Sequence, residues 1–403
     1  MAPLAQLATW NVWLIPNSSS ELGPRPLKQA RRLCQLLEEG PAPGGLRLIA
    51  LQEVWAWHCG CAKPLFACTA WLPADLRPRL RRISPWFDVL CDVLGFLALL
   101  LGLLTGLVLR ALWWVPGYER LLVWNPRRLL LPGLSDAGFT WAVGLEPSFG
   151  SFALFDSGLF MVANREPLSS GHISFTNTSW ATEERLANKG LLWALWGDEQ
   201  HSTLVVNLHG RCASAMEGGD SDAQVDPAFV AELCARLQKL LRDFAGAAAV
   251  VEAYVVGDWN IPQQSDFWRR ILDETGLEDV TSALRGRAFA TTSSLCCCAV
   301  SKELVALWHS GLSVVVAWAE PSMVNTKTVD GEATLDLIAG IRFVGGVPES
   351  LTSEWAVRRV VEERPEGAGL PPPGTHGQWQ YLSLRDVLSD HHAVVASRSQ
   401  DSK

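Results

Sequence analysis

The segment with the clearest chemical potential is G-D-W-N at 257–260, which follows an apolar run at 247–256. Apolar and β-branched residues in such a run are typical of a buried strand, and the glycine marks its end. Asp258 and Asn260 are two residues apart and project to the same side of an extended chain. Such a pair can accept a proton, contact a metal ion or hydrogen-bond a substrate oxygen; a Gly-Asp turn capped by Asn260 is the alternative.

Similar polar side chains lie at the ends of several other strand-like runs. They are Asn11, Glu53, Asn207, His209, Asp336, Asp390 and His391. A polar group in that position is either solvated or holds a ligand, so each of them alone is also explained by solvation or capping. Asp390 directly precedes His391, and a neighbouring carboxylate can orient an imidazole.

The elements that must position these groups alternate between strands and helices. Apolar runs and alternation predict strands at 7–13, 46–54, 191–196, 203–208, 247–256, 313–318, 335–338 and 392–396, and two strands that meet at a Ser-Gly kink within 152–163. Helical spacing of apolar residues predicts helices at 26–39, 226–244 and 265–275. Prolines punctuate the stretch at 116–147, where we predict no regular element. The composition does not change along the chain, so the sequence indicates one domain with an insertion.

The insertion lies at 86–115 and interrupts the alternation. It contains 17 uncharged, mostly apolar residues at 93–109. A straight helix of that length spans roughly 26 Å, slightly less than a bilayer core of about 30 Å. A single span would put Glu53 and Asp258 on opposite sides of a membrane. A segment that enters and returns is therefore one interpretation, and a buried helical hairpin is another.

Charge and composition narrow the function classes. The 403 residues include 34 Lys and Arg against 42 Asp and Glu, a formal net charge of −8. A nucleic-acid footprint is basic, so this balance disfavours a nucleic-acid partner. The 19 tryptophans suit an interface with lipid, where the ring is apolar and its N–H stays hydrated. The first residues lack the pattern of a signal peptide, and we expect an intracellular, membrane-associated protein whose site faces the cytosol.

Together and in this order, the motifs resemble the endonuclease/exonuclease/phosphatase superfamily, which has the deoxyribonuclease I fold. The matching segments are T-W-N-V at 9–12, L-Q-E-V at 51–54, V-N-L-H at 206–209, G-D-W-N at 257–260, L-D-L-I at 335–338 and S-D-H-H at 389–392. They cover nearly the whole chain apart from the insertion. The resemblance implies an α+β fold, a four-layer α/β/β/α sandwich, in one domain at 1–400 with a membrane-associating insertion at 86–115.

Within that superfamily the chain is most similar to the neutral sphingomyelinases. The similarity rests on D-S-G-L-F-M-V-A-N-R at 156–165 and N-K-G at 188–190. In that family an aspartate five residues before the lysine forms a switch with it. Here Glu184 holds that position relative to Lys189, so the acidic group is on a longer side chain. The membrane-bound members carry their hydrophobic segments ahead of the catalytic domain, whereas the apolar run of this chain lies inside it.

The resemblance implies a Mg²⁺-dependent phosphodiesterase. Glu53 with Asn11 would hold Mg²⁺, a cation that favours oxygen ligands. Asp336 would support the site without touching the substrate. The implied catalytic groups are His391, Asp390, Asp258, Asn260, His209, Asn207 and Lys189.

The resemblance also implies a role for most of these groups. His391 would be the general base, oriented by Asp390. Asp258 and Asn260 would position the nucleophile and a phosphate oxygen. His209 would stabilise the charge that develops at the phosphoryl group.

The favoured hypothesis is a membrane-associated phosphodiesterase that hydrolyses sphingomyelin or a related phospholipid to ceramide and phosphocholine. A nuclease or phosphoinositide phosphatase with the same catalytic groups is the second, and a non-catalytic membrane scaffold is the third. The acidic charge and the lack of an obvious basic, aromatic groove disfavour the second. The presence of every core motif disfavours the third.

Overall fold

The structure is a computed structural model, and it describes part of the chain. The described residues are 4–14, 45–58, 123–147, 155–176, 187–211, 225–281, 323–325, 336–351, 355–360, 379–381 and 393–398. Several predictions lie outside these residues. They concern the helix at 26–39, the insertion at 86–115, the strand at 313–318, Glu184, Asp390 and His391.

Among the described residues, a first sheet has six strands. In spatial order they are β15 (Trp355–Val360), β17 (Ala393–Arg398), β1 (Leu4–Leu14), β2 (Leu46–Val54), β6 (Phe160–Ala163) and β5 (Trp141–Val143). β1 and β2 are parallel, with Asn11 beside Gln52. β17 is antiparallel to β1, with Val394 beside Thr9. Asn11, Glu53 and the start of β17 therefore lie at the same end of this sheet.

A second sheet, within the same described ranges, has seven strands. In spatial order they are β11 (Glu278–Asp279), β13 (Asp336–Val344), β10 (Val250–Asp258), β9 (His201–His209), β8 (Gly190–Gly197) and β7 (Ser169–Ser174), with β14 (Val347–Glu349) paired to β13. β9 and β10 are parallel, with His209 beside Asp258, and β13 is antiparallel to β10 with Asp336 beside Asp258. Three predicted site residues thus share one end of this sheet.

Two short pairs of strands complete the described β-structure. They are β3 (Trp57–His58) with β4 (Val123–Trp124), and β12 (Met323–Asn325) with β16 (Trp379–Tyr381). The first pair places the residues that follow β2 beside the segment that begins at 123.

The two large sheets pack face to face, and helices cover their outer faces. Leu7, Leu48, Val205 and Val256 belong to one buried apolar cluster with members from both sheets. Helix α1 (Arg127–Asp136) packs on the first sheet. Helices α2 (Pro227–Phe244) and α3 (Asp266–Thr275) pack on the second. The predicted α+β fold with four layers, α/β/β/α, is therefore confirmed.

The ends of α2 and α3 agree with the sequence prediction because local signals fix them. The Asp226 side chain accepts a hydrogen bond from the Ala228 amide and Pro227 occupies the first turn of α2. The Ser265 side chain caps α3, which ends at Gly276 in the left-handed conformation. The predicted strand at 46–54 is confirmed with its bounds, whereas β10 starts at 250 and extends to 258.

The segment after the insertion was predicted wrongly. Helix α1 spans 127–136 although Pro132 lies inside it. An interior proline removes a helical hydrogen bond and costs about 3 kcal/mol. Leu130 and Leu134 of α1 are fully buried against the first sheet, and their burial offsets that cost. In the described part of 152–163, β6 is the one strand, and Phe155 makes an isolated bridge to Ala187.

A buried ionic cluster joins the two sheets at the end opposite Asp258. Glu252 of β10 accepts hydrogen bonds from Arg398 of β17 at 2.7 and 2.8 Å and from Arg342 of β13 at 2.9 Å. The Tyr254 hydroxyl donates to the same carboxylate at 3.1 Å. Burial acts to raise the pKa of Glu252, but the two guanidinium groups outweigh burial and the pKa lies below its ordinary value.

We predict that Glu252→Gln lowers the free energy of unfolding by about 3 kcal/mol at neutral pH, because it leaves two partly buried guanidinium groups without their buried carboxylate. A carboxyl group whose pKa is lower in the folded state than in the unfolded state stabilises the protein at a pH above the unfolded-state pKa. That contribution is lost as the pH falls through the folded-state pKa. The difference between wild type and variant should therefore shrink below the ordinary pKa of 4.5. Urea unfolding over a pH series measures both.

Glu278→Gln is the matched control for this prediction, because Glu278 is an exposed glutamate of the same sheet. It should change the unfolding free energy by less than about 0.5 kcal/mol. An equal effect of the two substitutions would contradict the role given to Glu252.

Candidate active site

Side chains from both sheets converge where four strands end. Asn11 and Glu53 come from β1 and β2 of the first sheet, and His209 and Asp258 end β9 and β10 of the second. Ligand atoms of Glu53, His209 and Asp258 all lie within 4.8 Å of one another. We call Asn11, Glu53, His209 and Asp258 the strand-end cluster.

Asn11 joins the two carboxylates of the strand-end cluster. Its Nδ2 donates to Glu53 Oε1 at 2.9 Å and to Asp258 Oδ2 at 3.0 Å. Asn11 and Asp258 are buried, while 17% of the Glu53 side chain is exposed. The amide thus supplies donors to two like charges and leaves Glu53 as the carboxylate that solvent can reach.

Two cationic or potentially cationic groups stand beside these carboxylates. His209 Nε2 lies 3.6 Å from Glu53 Oε1 and 3.8 Å from Asp258 Oδ2. Lys189 Nζ lies 3.5 Å from His209 Nε2 and donates to the Gly210 carbonyl at 2.9 Å. Lys189 is buried, and the antiparallel pairing of β8 with β9 brings it here. Positive charge is therefore available next to the strand-end cluster.

The backbone is strained at two residues of the site. Glu53 has φ 58° and Asn260 has φ 51°, and both are in the left-handed region that L-residues rarely adopt. Asparagine tolerates this region better than glutamate does. Strain of this kind persists only where surrounding structure enforces it, and it concentrates at functional sites.

The glycine before Asp258 is required by close packing. Gly257 has φ 139°, and a side chain there would place its Cβ 2.0 Å from the Leu208 carbonyl oxygen. The absence of a side chain lets β10 and β9 approach closely enough for the Gly210 amide to donate to the Asp258 carbonyl at 2.7 Å. The G-D-W-N motif therefore combines Gly257, which close packing of the strands requires, with Asp258, which belongs to the strand-end cluster.

An aromatic side chain forms one wall of the site. The Trp55 ring lies 5.7 Å from the His209 ring and 6.3 Å from the Phe155 ring. Its other neighbour is Gly158, where a Cβ would come within 2.7 Å of the indole. Trp55 is thus held in place and limits the movement of the imidazole.

The structure also locates Asn260 and Asn207. The backbone N–H of Asn260 donates to Asp258 Oδ1 at 3.0 Å, and its side-chain Nδ2 donates to the Gly210 carbonyl at 3.2 Å. Asn260 therefore adjoins the strand-end cluster. Asn207 is fully buried and instead hydrogen-bonds to the first sheet, to the Leu51 carbonyl and the Gln52 side chain among others. Its amide faces between the sheets.

Of the remaining predicted site residues, the structure describes only the backbone of Asp336. The backbone of Asp336 lies beside Asp258 in the β13–β10 register. Asp390 and His391 lie outside the described residues. β17 begins at Ala393, two residues after His391, at the end of the first sheet that carries Asn11. The chain thus enters β17 beside the site.

The sequence prediction missed a buried ion pair behind the site. Arg127 forms a salt bridge with Asp156, and both side chains are buried. Asp156 Oδ1 also accepts from the Ala56 amide at 2.9 Å and the Gly158 amide at 3.0 Å. Burial raises the pKa of Asp156, while Arg127 and these amides act to lower it. The signal was available because Asp156 begins the D-S-G-L-F motif.

The donor set fits a divalent cation. Carboxylate oxygens of Glu53 and Asp258 are the hard ligands that Mg²⁺ and similar cations prefer, and the His209 nitrogen suits first-row transition metals. All three ligand atoms can reach one point, since they lie within 4.8 Å of one another. The described part of the chain therefore contains a possible metal-binding triad.

Comparisons with known proteins locate the fold. No protein-family model and no curated sequence matches the chain. Sphingomyelinase C from Streptomyces griseocarneus matches with a TM-score of 0.50 and 13% identity, over 99% of this chain and 100% of that one. A mutant beta toxin from Staphylococcus aureus with bound magnesium ions gives 0.52 and 13%, over 98% and 99%. SmcL gives 0.51 and 13%, also over 98% and 99%.

At this level of identity the likeness establishes the fold. The chain has the α+β fold of these proteins, and the predicted deoxyribonuclease I-like architecture is confirmed. The matches extend along nearly the full length of both chains, so the likeness covers the strands that carry the strand-end cluster.

We predict that the free energy of unfolding is about 1 kcal/mol higher for Glu53→Gly than for Glu53→Ala. The Cβ atom of alanine makes φ 58° sterically costly, whereas glycine has no Cβ atom. Both variants lack the carboxylate, so their difference isolates the backbone. Urea unfolding in EDTA measures it.

Ser170 of β7 provides the control pair for this prediction. It is exposed in a strand and is not among the described residues with positive φ. The order should reverse there, with alanine more stable than glycine by about 0.5 kcal/mol. The same order at both positions would contradict the strain assigned to Glu53.

Proposed function

We propose that the protein is a Mg²⁺-dependent phosphodiesterase that hydrolyses sphingomyelin or a related phospholipid to ceramide and phosphocholine at a membrane surface. The observation that carries the proposal is the convergence of Glu53, His209 and Asp258 within 4.8 Å, with Lys189 beside them. Phosphodiester hydrolysis requires charge neutralisation, a positioned nucleophile and a protonated leaving group. Described residues would supply groups for the first two of these.

The cation would be held by Glu53 and Asp258, with Asn11 bracing both carboxylates. When bound, Mg²⁺ would neutralise charge on the phosphoryl oxygens and favour attack at phosphorus. The magnesium ions in the beta toxin structure, which has the same fold, support this choice of metal.

The remaining roles belong to the side chains of the protein. His209 and Lys189 would stabilise charge on a phosphoryl oxygen through N–H donors, and the support is that they lie next to each other beside the carboxylates. Asn260 would orient a phosphate oxygen. His391, oriented by Asp390, would remove the proton from the attacking water, and the start of β17 beside Asn11 supports that assignment.

The specificity for a choline phospholipid rests on sequence and fold together. D-S-G-L-F at 156–160 and N-K-G at 188–190 are the segments that resemble neutral sphingomyelinases. One of the solved structures with this fold is a sphingomyelinase C. The formal net charge of −8 is unfavourable for a nucleic-acid substrate.

The test is hydrolysis of sphingomyelin, phosphatidylcholine, phosphoinositide and DNA in detergent micelles, with Mg²⁺ or with EDTA. We expect phosphocholine release from sphingomyelin that requires Mg²⁺ and is lost in His391→Ala. His209→Asn should lower kcat/KM at least 100-fold because it removes a charge-stabilising donor. Activity on DNA or phosphoinositide alone would replace the proposed substrate, and inactivity on all four would favour a scaffold.

His201→Asn is the matched control, because His201 begins the strand that His209 ends. It should leave kcat/KM within about twofold, since it lies at the far end of the sheet. A similar loss in both variants would indicate a general effect on β9 and remove the support for His209.

We also propose that residues 86–115 attach the protein to an intracellular membrane with the site facing the cytosol. No helix in the described ranges has the length and apolar character to cross a bilayer. The support is the run of 17 uncharged residues at 93–109 and the lipid substrate proposed above.

The membrane proposal predicts the behaviour of the double substitution Leu100→Glu with Leu104→Glu. Two charges in the apolar run should reduce flotation with sphingomyelin and phosphatidylcholine vesicles at least tenfold, because burying a carboxylate in lipid is costly. Activity on micellar substrate should stay within about threefold. Unchanged flotation would contradict the assignment of 86–115.

A further inference from the structure

A chain of buried polar side chains joins the two sheets beneath the strand-end cluster. Gln52 Nε2 donates to Asn207 Oδ1 at 2.7 Å, and it lies 3.1 Å from the Thr9 hydroxyl. Asn207 Nδ2 donates in turn to the Leu51 carbonyl at 2.9 Å and the Phe160 carbonyl at 3.1 Å. Thr9, Gln52 and Asn207, each fully buried, form what we call the cross-sheet network.

The cross-sheet network is adjacent to the strand-end cluster in both sheets. Gln52 precedes Glu53 along β2 and lies beside Asn11 in the β1–β2 register. Asn207 is two residues before His209 on β9, and so on the same side of that strand. The hydrogen bond between Gln52 and Asn207 therefore links the neighbours of the metal-site residues across the interior.

The division of the cluster between sheets makes this link consequential. Glu53 belongs to the first sheet, and His209 and Asp258 belong to the second. Their separation is therefore set by how the two sheets are placed relative to each other. Apolar contacts between sheets provide cohesion but tolerate small shifts, whereas a satisfied buried hydrogen-bond network specifies one arrangement.

We propose that the cross-sheet network positions the metal site, by fixing the spacing between Glu53 on one sheet and Asp258, with His209 beside it, on the other. The proposal rests on the proposed function, in that it treats the cluster as a cation site. Asn207 then acts through the ligands as a positioning residue, because its amide hydrogen-bonds to the first sheet and not to the carboxylates.

The fold provides an internal control for this idea. Arg398, which is partly exposed, and the buried Glu252 also join the two sheets, but they lie at the opposite end of β10 from Asp258. Loss of that link should reduce stability without changing the spacing of the ligands. The two links thus separate a general loss of cohesion from a local loss of position.

The experiment measures Mn²⁺ and Mg²⁺ binding to the full chain by titration calorimetry. The variants are Gln52→Met, which keeps the length of the side chain and removes its hydrogen bonds, and Arg398→Met, which removes the far link. We expect Gln52→Met to weaken Mn²⁺ binding at least tenfold, as for partners that orient metal ligands. Arg398→Met should change Mn²⁺ affinity by less than twofold, although both variants should lower the melting temperature.

Thr9→Val is the milder variant, because it keeps the shape of the side chain and removes a single hydroxyl group. It should weaken Mn²⁺ binding about threefold, and it serves in place of Gln52→Met if that variant does not fold. Equal effects of Gln52→Met and Arg398→Met on Mn²⁺ affinity, or unchanged Mn²⁺ affinity in both Thr9→Val and Gln52→Met, would overturn the positioning role. Failure of wild type to bind either cation would instead overturn the proposed metal dependence.

Discussion

The site depends on holding two carboxylates of like charge together. Oxygens of Glu53 and Asp258 lie within 4.8 Å of each other, and two unit charges at that distance repel by about 3.5 kcal/mol at an effective dielectric constant of about 20. The Asn11 amide donates to both, and His209 and Lys189 place positive or potentially positive charge alongside. The surrounding fold must supply the rest of the stabilisation.

Two features of the fold meet this demand. Parallel pairing of β1 with β2 and of β9 with β10 brings the strand ends to one edge, and the packed sheets hold those edges together. The same rigidity enforces left-handed backbone at Glu53 and Asn260. Repulsion and strain are thus concentrated at one end of the sandwich, while the Glu252 cluster stabilises the other.

The sequence predicted most of what is local and less of what is tertiary. The strand at 46–54 and helices α2 and α3 follow from periodicity and capping residues, so their predictions were confirmed. Helix α1 was missed because Pro132 argues against a helix unless its buried side is known. Likewise, sequence does not distinguish an amide that faces the carboxylates from Asn207, whose amide hydrogen-bonds to the opposite sheet.

The order of strands in the first sheet has a consequence for folding. β1 lies between β2 and β17, and the hydrogen bond from Gln6 to Ser397 joins residues separated by 391 positions. Contacts this distant form slowly because a long chain must close before they are gained. Before β17 pairs with β1, one edge of β1 is unpaired and can form non-native strand pairs. Synthesis must therefore reach β17 before this sheet can close, and shorter nascent chains are the species most exposed to misassociation.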